Sequence, residues 1–84
     1  MEINFQTKYE FKDAICRGCD LVFEWNGAEY GIFPAQNNQW LVCRLGTDSQ
    51  NIYYDSIEDV MHHKIEGEKL IDICTKFIVV ERNI

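Results

Sequence analysis

The sequence predicts an α+β fold, a two-layer sandwich of helices on one face of a mainly antiparallel sheet of four to five strands. Three observations lead to this prediction. Residues 20–33 have the turn chemistry and alternation of a β-hairpin. Two segments, 8–16 and 55–63, have the one-sided apolar stripe of a helix, and residues 77–81 are β-branched and apolar. With 84 residues, 46% of them hydrophobic, the chain is predicted to be one domain spanning residues 1–84.

The helix at the N-terminus is predicted from its capping residues. Residues 1–5 form either a short edge strand or a lead-in to it. Thr7 and Glu10 have the spacing of a capping box, so a helix should follow over residues 8–16. Its buried face should consist of Phe11, Ala14 and Ile15, which lie at helical spacing. Gly18 is well placed to end this helix, because glycine readily adopts a left-handed conformation.

The hairpin is the best-defined element of the sequence. Asn26-Gly27 is a preferred pair for a two-residue type I′ turn, which fixes the register and places Glu24 opposite Glu29. Alternation then separates the side chains into two faces. The face predicted to be covered holds Leu21, Phe23, Trp25, Tyr30 and Ile32. The other, predicted to meet water, holds Asp20, Val22, Glu24, Glu29, Gly31 and Phe33. Two glutamates facing each other repel, which favours exposure of that second face.

The second half of the chain should contain two more strands, two short helices and a last strand. Pro34 should end the hairpin, and residues 40–45 form a third strand whose faces the pattern does not assign. A turn over residues 46–50 leads to a short fourth strand over residues 51–54. A helix should follow from about residue 55 to residue 63. Its apolar face should consist of Ile57, Val60 and Met61.

The last part of the chain is predicted to form a helix and a central strand. Ile65 should be a buried anchor, and Gly67 should open a second short helix over residues 68–75. Residues 77–81 are hydrophobic enough to predict a central strand.

Charge and hydropathy exclude several classes of function. The net charge of -6 disfavours electrostatic binding to nucleic acid or to anionic membranes. No stretch approaches the ~20 apolar residues of a membrane span. Residues 1–7 lack the basic start and apolar run of a signal peptide, so we expect a cytoplasmic protein whose cysteines are thiols.

Cys16 and Cys19 form a C-x-x-C motif, the sequence feature closest to a known chemistry. A redox role is disfavoured, because redox motifs lie at the start of a helix and this one lies at a helix end. A zinc-stabilised module is the alternative, with two further ligands drawn from Cys43, Cys74, His62 and His63. A second closely spaced pair of cysteines is missing, so we favour packing roles for all four and predict no cofactor.

The sequence contains no pattern that predicts an enzyme. His62 and His63 are adjacent in a helix, about 100° apart, so they are poorly placed to bind one metal ion and should face solvent near the helix end. No Ser-His-Asp order, phosphate-binding glycine loop or H-E-x-x-H is present. We therefore predict no catalytic, cofactor-binding or metal-binding residues.

Two segments resemble small uncharacterised bacterial proteins of the type found in Firmicutes genomes and prophages. The matching residues of the hairpin are Phe23, Trp25, Asn26, Gly27, Tyr30 and Ile32. Those of the later segment are Ile65, Gly67, Leu70, Asp72 and Ile73. The resemblance covers most of the chain and implies no activity, since that group has no established one. The cysteines are not part of it.

The water-facing side of the hairpin provides the candidate binding site. Asp20, Val22, Glu24, Glu29 and Phe33, with one side of residues 40–45 and of 77–80, would form an apolar patch rimmed by acids. Such patches mark partner or self-association surfaces, although a fold this small also exposes apolar area without any partner. The resulting hypothesis is a cytoplasmic protein-binding module. Its acidity favours a basic partner such as a nuclease toxin or a DNA-binding protein, with an immunity or anti-restriction role as an extension.

Overall fold

The architecture is α+β, as predicted, and is built on a five-stranded antiparallel sheet. The computed structural model describes residues 4–46 and 51–83. In chain order the elements are α1 (Lys8–Cys16), β1 (Asp20–Trp25), β2 (Ala28–Pro34), β3 (Trp40–Arg44), β4 (Ile52–Tyr54), α2 (Ile57–Met61), β5 (Lys64–Ile65), β6 (Glu68–Lys69), α3 (Leu70–Ile73) and β7 (Ile78–Asn83). The main sheet has the strand order β4-β3-β2-β1-β7.

Helix α1 begins and ends where the capping residues predict. The Thr7 hydroxyl accepts a hydrogen bond from the Glu10 backbone N–H at 3.1 Å. The Glu10 carboxylate accepts from Arg82 at 3.2 Å. At the other end, Gly18 has a φ of 80°. The backbone N–H groups of Gly18 and Cys19 donate to the carbonyls of Ile15 and Ala14, the two bonds of a Schellman motif.

The hairpin register is confirmed at every predicted pair. Glu24 lies opposite Glu29, and Phe23 lies opposite Tyr30. Asn26 and Gly27 both have positive φ, at 51° and 82°, as a type I′ turn requires. The predicted helical segment after β4 is also present as α2, where the Ser56 hydroxyl accepts from the Asp59 N–H.

One hydrophobic core joins the covered face of the sheet to the helices. It contains the predicted hairpin residues Leu21, Phe23, Tyr30 and Ile32, with Trp25 packed against it. Helix α1 contributes Phe11, Ala14 and Ile15 to the same cluster, and α2 contributes Val60 and Met61. Aromatic stacking lies at its centre, where the Phe23 and Phe77 ring centroids are 4.0 Å apart.

The prediction of a helix over residues 68–75 was correct over residues 70–73 and wrong at both ends. Residues Glu68–Lys69 form strand β6 and pair with Lys64–Ile65 in a second small hairpin, so only Leu70–Ile73 is helical. Glu66 and Gly67 supply its two-residue turn with φ of 53° and 84°. Gly67 is therefore a turn residue, because two consecutive positive φ values close a hairpin and do not start a helix.

The last strand was predicted to be central and lies at an edge of the sheet. Among the described strands, β7 pairs with β1 and with no other. Its pairing is interrupted by a register shift between Val22 and Phe23. Ile78 and Val80 are 56% and 46% exposed, so the hydrophobicity of this strand does not come from burial on both faces.

Two predictions fall partly outside the described residues. The N-terminal alternation over residues 1–5 can be followed only at its end, where Phe5 is buried in the core without belonging to a strand. The turn predicted over residues 46–50 has only Gly46 within the described ranges.

Candidate functional surface

The five predicted binding residues lie on one face of the sheet, opposite the core. Asp20, Val22 and Glu24 alternate along β1 with the buried residues of that strand, and Glu29 and Phe33 do the same along β2. Asp20 and Glu29 are exposed, and Val22, Glu24 and Phe33 are half-buried. The pairing of Val22 with Gly31 and of Glu24 with Glu29 brings the two strands' residues side by side.

The ring of Phe33 lies directly over Gly31, two residues earlier in the same strand. A Cβ atom placed on Gly31 would be 2.4 Å from Phe33 Cε2 and 2.7 Å from Cζ. It would also be 3.4 Å from the sulfur of Cys43, which pairs with Gly31 across the sheet. Because a real Cβ atom essentially never lies within 3.0 Å of such an atom, the absence of a side chain at Gly31 is what makes room for the ring.

The structure extends this face beyond the hairpin, to residues that the sequence left unassigned. On β3, Leu41 pairs with Phe33 and Cys43 pairs with Gly31, so both belong to this face. On β4, Tyr53 pairs with Leu41 and is 55% exposed. The open-face patch is defined here as Val22, Phe33, Leu41, Cys43, Tyr53, Ile78 and Val80.

Acidic side chains flank the open-face patch mainly on β7, β1 and β2. Ile78 pairs with Glu24, which pairs with Glu29, and Glu81 pairs with Val22. The ion pairs among the described residues use other acids, namely Glu10, Asp13, Glu58 and Asp72. The acids beside the patch are therefore not neutralised by described cations.

The four cysteines lie in different environments. Cys16 is exposed at the end of α1, whereas Cys19, Cys43 and Cys74 are buried. Burial raises the pKa of each of these three thiols, which opposes the thiolate form that redox or metal chemistry needs. Within residues 4–46 and 51–83, no three His, Cys, Asp or Glu side chains could hold one metal ion. The zinc alternative thus has no site among those residues.

The two histidines differ, and the prediction that both face solvent was wrong for His63. His62 is exposed, and its Nδ1 lies 2.8 Å from the Glu58 carbonyl oxygen. His63 is half-buried, with Nδ1 2.6 Å from the Tyr54 hydroxyl and the two rings edge to face. Burial lowers the pKa of His63, so its neutral form is favoured in the folded protein.

Comparison with known proteins adds no relative from which a role could be transferred. No family model, curated protein or solved structure matches the chain. The resemblance to small bacterial proteins therefore stays a prediction. None of the helices in the described ranges is long and apolar enough to cross a membrane.

Proposed function

We propose that this chain is a cytoplasmic protein-binding module that docks a basic protein on the open-face patch. The observation that carries the proposal is the combination of exposed Tyr53, Ile78 and Val80 with half-buried Phe33 on one sheet face. Exposed apolar side chains on one sheet face, with polar residues beside them, are typical of interaction sites.

The arrangement of the patch suits a partner that brings its own apolar side chains. The Phe33 ring packs against Gly31, and this contact limits the positions open to the ring before a partner arrives. An ordered aromatic side chain loses little conformational entropy on binding, which favours affinity. Aromatic residues are also the side chains that most often dominate binding energy at interfaces.

Charge complementarity supports a basic partner over a second copy of the chain. Asp20, Glu24, Glu29 and Glu81 stand beside the patch without a described ion pair, and the net charge of the chain is -6. Two copies meeting face to face would bring these acids together, at a cost of several kcal/mol for like charges in contact. A basic partner would instead be attracted from a distance, with a rate that falls as salt is added.

The test is affinity capture from the source cells with wild-type protein and surface variants, each first shown to fold. Tyr53→Ser and Ile78→Ser remove apolar area from the patch at positions that are more than half exposed. Tyr9→Ser is the matched control, because Tyr9 is 84% exposed but lies on helix α1. For charge, Glu24→Gln with Glu29→Gln is compared with Glu68→Gln on β6.

The expected result is a basic protein that binds wild type and the Tyr9 and Glu68 controls, and that is lost with both patch variants and with the Glu24/Glu29 pair. Its binding should weaken between low and high salt. Capture that is insensitive to the patch variants would refute the docking surface. A dimer that the patch variants disrupt, with no captured protein, would replace the basic partner by a second copy.

A further inference from the structure

A second surface feature lies where the main sheet meets the small hairpin, and Cys43 borders both this feature and the open-face patch. The feature is a cleft of about 320 Å³. Tyr30, Ile52 and Ile65 contribute to its walls, and Arg44, His63 and Lys64 line it as well. Ligand pockets in proteins start at about 300 Å³, so the cleft has room for a small molecule only.

The cations at this cleft take no part in the ion pairs that the structure describes, whereas those of α1 and Arg82 do. The ion pairs among the described residues use Lys8, Lys12, Arg17 and Arg82. Arg44 and Lys64 take part in none of them. The cleft thus holds two exposed cations without a described carboxylate partner, in a chain with 14 acidic and 8 basic side chains.

The small hairpin adds a third positive charge beside the cleft. Lys64 lies directly opposite Lys69 in the β5–β6 pairing. Like charges at directly opposite positions of an antiparallel pair repel and destabilise it. An anion bound beside Lys64 would reduce this repulsion and so stabilise the pairing of β5 with β6.

One acid also lines the cleft, and it is partly engaged elsewhere. Glu66 Oε2 accepts a hydrogen bond from Asn26 Nδ2 at 3.0 Å, in a contact that joins the turns of the two hairpins. His63 is oriented by its hydrogen bond to Tyr54 through Nδ1, and its Nε2 has no hydrogen-bond partner among the residues described. Arg44 and Lys64 therefore outnumber the single carboxylate.

We propose that this cleft binds a small organic anion, whose phosphate or carboxylate group contacts Arg44 and Lys64 and whose apolar part lies against Tyr30 and Ile52. Arginine matches the planar or tetrahedral oxygens of such groups with paired N–H donors, and lysine adds a mobile point charge. The aromatic and aliphatic walls provide the apolar contact that small-molecule sites generally use.

The experiment is an NMR titration of amide resonances of the full chain in a buffer without phosphate or carboxylate. Phenyl phosphate and benzoate are the two probes, and inorganic phosphate shows whether the charged group alone suffices. Saturable shifts are expected at residues 63–66 and at Arg44. Arg44→Gln and Lys64→Gln should each weaken binding by at least about tenfold, the loss of one charge-assisted hydrogen bond.

Lys76→Gln is the matched control, because Lys76 is an exposed lysine outside the described ion pairs and outside the cleft. It should bind the probes as wild type does. A higher affinity for phenyl phosphate assigns a phosphate ligand, and a higher affinity for benzoate assigns a carboxylate. The proposal is overturned if no probe gives saturable shifts up to about 10 mM, a concentration that bounds affinity near -3 kcal/mol. Equal weakening in all three variants would also overturn it, since only general charge would then be at work.

Discussion

The contact between Gly31 and Phe33 predicts that the effect of Gly31→Ala on the free energy of unfolding changes sign when the Phe33 ring is removed. Changing Gly31 to Ala adds one methyl group where the built Cβ lies 2.4 Å from the Phe33 ring. The backbone itself accepts alanine, since Gly31 is not among the glycines with positive φ. The ring must therefore leave the strand, and the two effects on stability oppose each other.

The magnitudes follow from burial and from chain entropy. Full burial of a Phe side chain is worth about 1.5–3 kcal/mol. Phe33 is partly buried, and a ring displaced from the strand keeps some of its contacts, so we take the cost as about half of the full value, about 1.2 kcal/mol. Replacing glycine by alanine in a compatible strand position restricts the unfolded chain and stabilises by about 0.7 kcal/mol. The net effect of Gly31→Ala in wild type is then a destabilisation of about 0.5 kcal/mol, or about 2–4 °C in Tm.

The same substitution in a Phe33→Ala background should have the opposite sign. With the ring gone, only the entropy effect remains, and Gly31→Ala should stabilise by about 0.7 kcal/mol. The contact with the Cys43 sulfur at 3.4 Å is present in both backgrounds and cancels in the cycle. Urea unfolding of the four proteins should thus give a coupling energy of about 1.2 kcal/mol, within the range for residues in contact.

A coupling energy near zero would refute this argument, because it would mean that the ring does not lie on Gly31 in solution. The open-face patch would then lack its ordered aromatic residue, and the argument from preorganisation would fail with it.

Two further predictions concern the second half of the chain. Burial lowers the pKa of His63, so the unfolded chain binds a proton at this residue more readily than the folded protein does. The free energy of unfolding should therefore be highest above about pH 6.5 and decrease as the pH drops below that value. His63→Gln should reduce this decrease, measured by urea unfolding in a buffer without small anions, and an equal decrease in His63→Gln and His62→Gln would contradict the assignment. Gly67→Ala should destabilise by about 1 kcal/mol, because its φ of 84° strains any L residue although nothing lies within 4 Å of the added Cβ; a neutral effect in the same measurement would contradict the hairpin turn and favour a helix start.

The elements that were predicted well are those with two independent local signals. The first hairpin had both a turn pair and an alternating pattern, and its register is confirmed at every position. Helix α1 had a cap, an apolar stripe and a terminating glycine. The second hairpin had only Glu66-Gly67, and glutamate rarely occupies a left-handed position, so the turn was hidden. Its two-residue strands are also too short to show alternation.

The hydrophobicity of a strand does not determine its position within the sheet. For that reason residues 77–81 were predicted to be a central strand and form an edge strand. A strand is apolar on both faces either when both are buried in a layered fold or when one face is left uncovered. Val79 faces the core at 3% exposure, and Ile78 on the other face is 56% exposed. The sequence pattern is the same for a strand buried on both faces and for a strand with one uncovered face. Only the strands that pair with it distinguish the two.

The open-face patch was partly predictable, whereas the cationic cleft was not, and the difference lies in how far apart their residues are in the chain. Two of the patch positions, Val22 and Phe33, follow from one hairpin whose register a two-residue turn fixes. The cleft brings together Arg44 at the end of β3, Ile52 on β4 and Lys64 on β5, and each of those strands is placed by a different contact. No local pattern encodes that convergence. The one signal within reach was Lys64 opposite Lys69, an unfavourable pair that becomes visible only once Glu66-Gly67 is taken as a turn. An error in one turn therefore concealed both the hairpin and the charge that makes the cleft a candidate site.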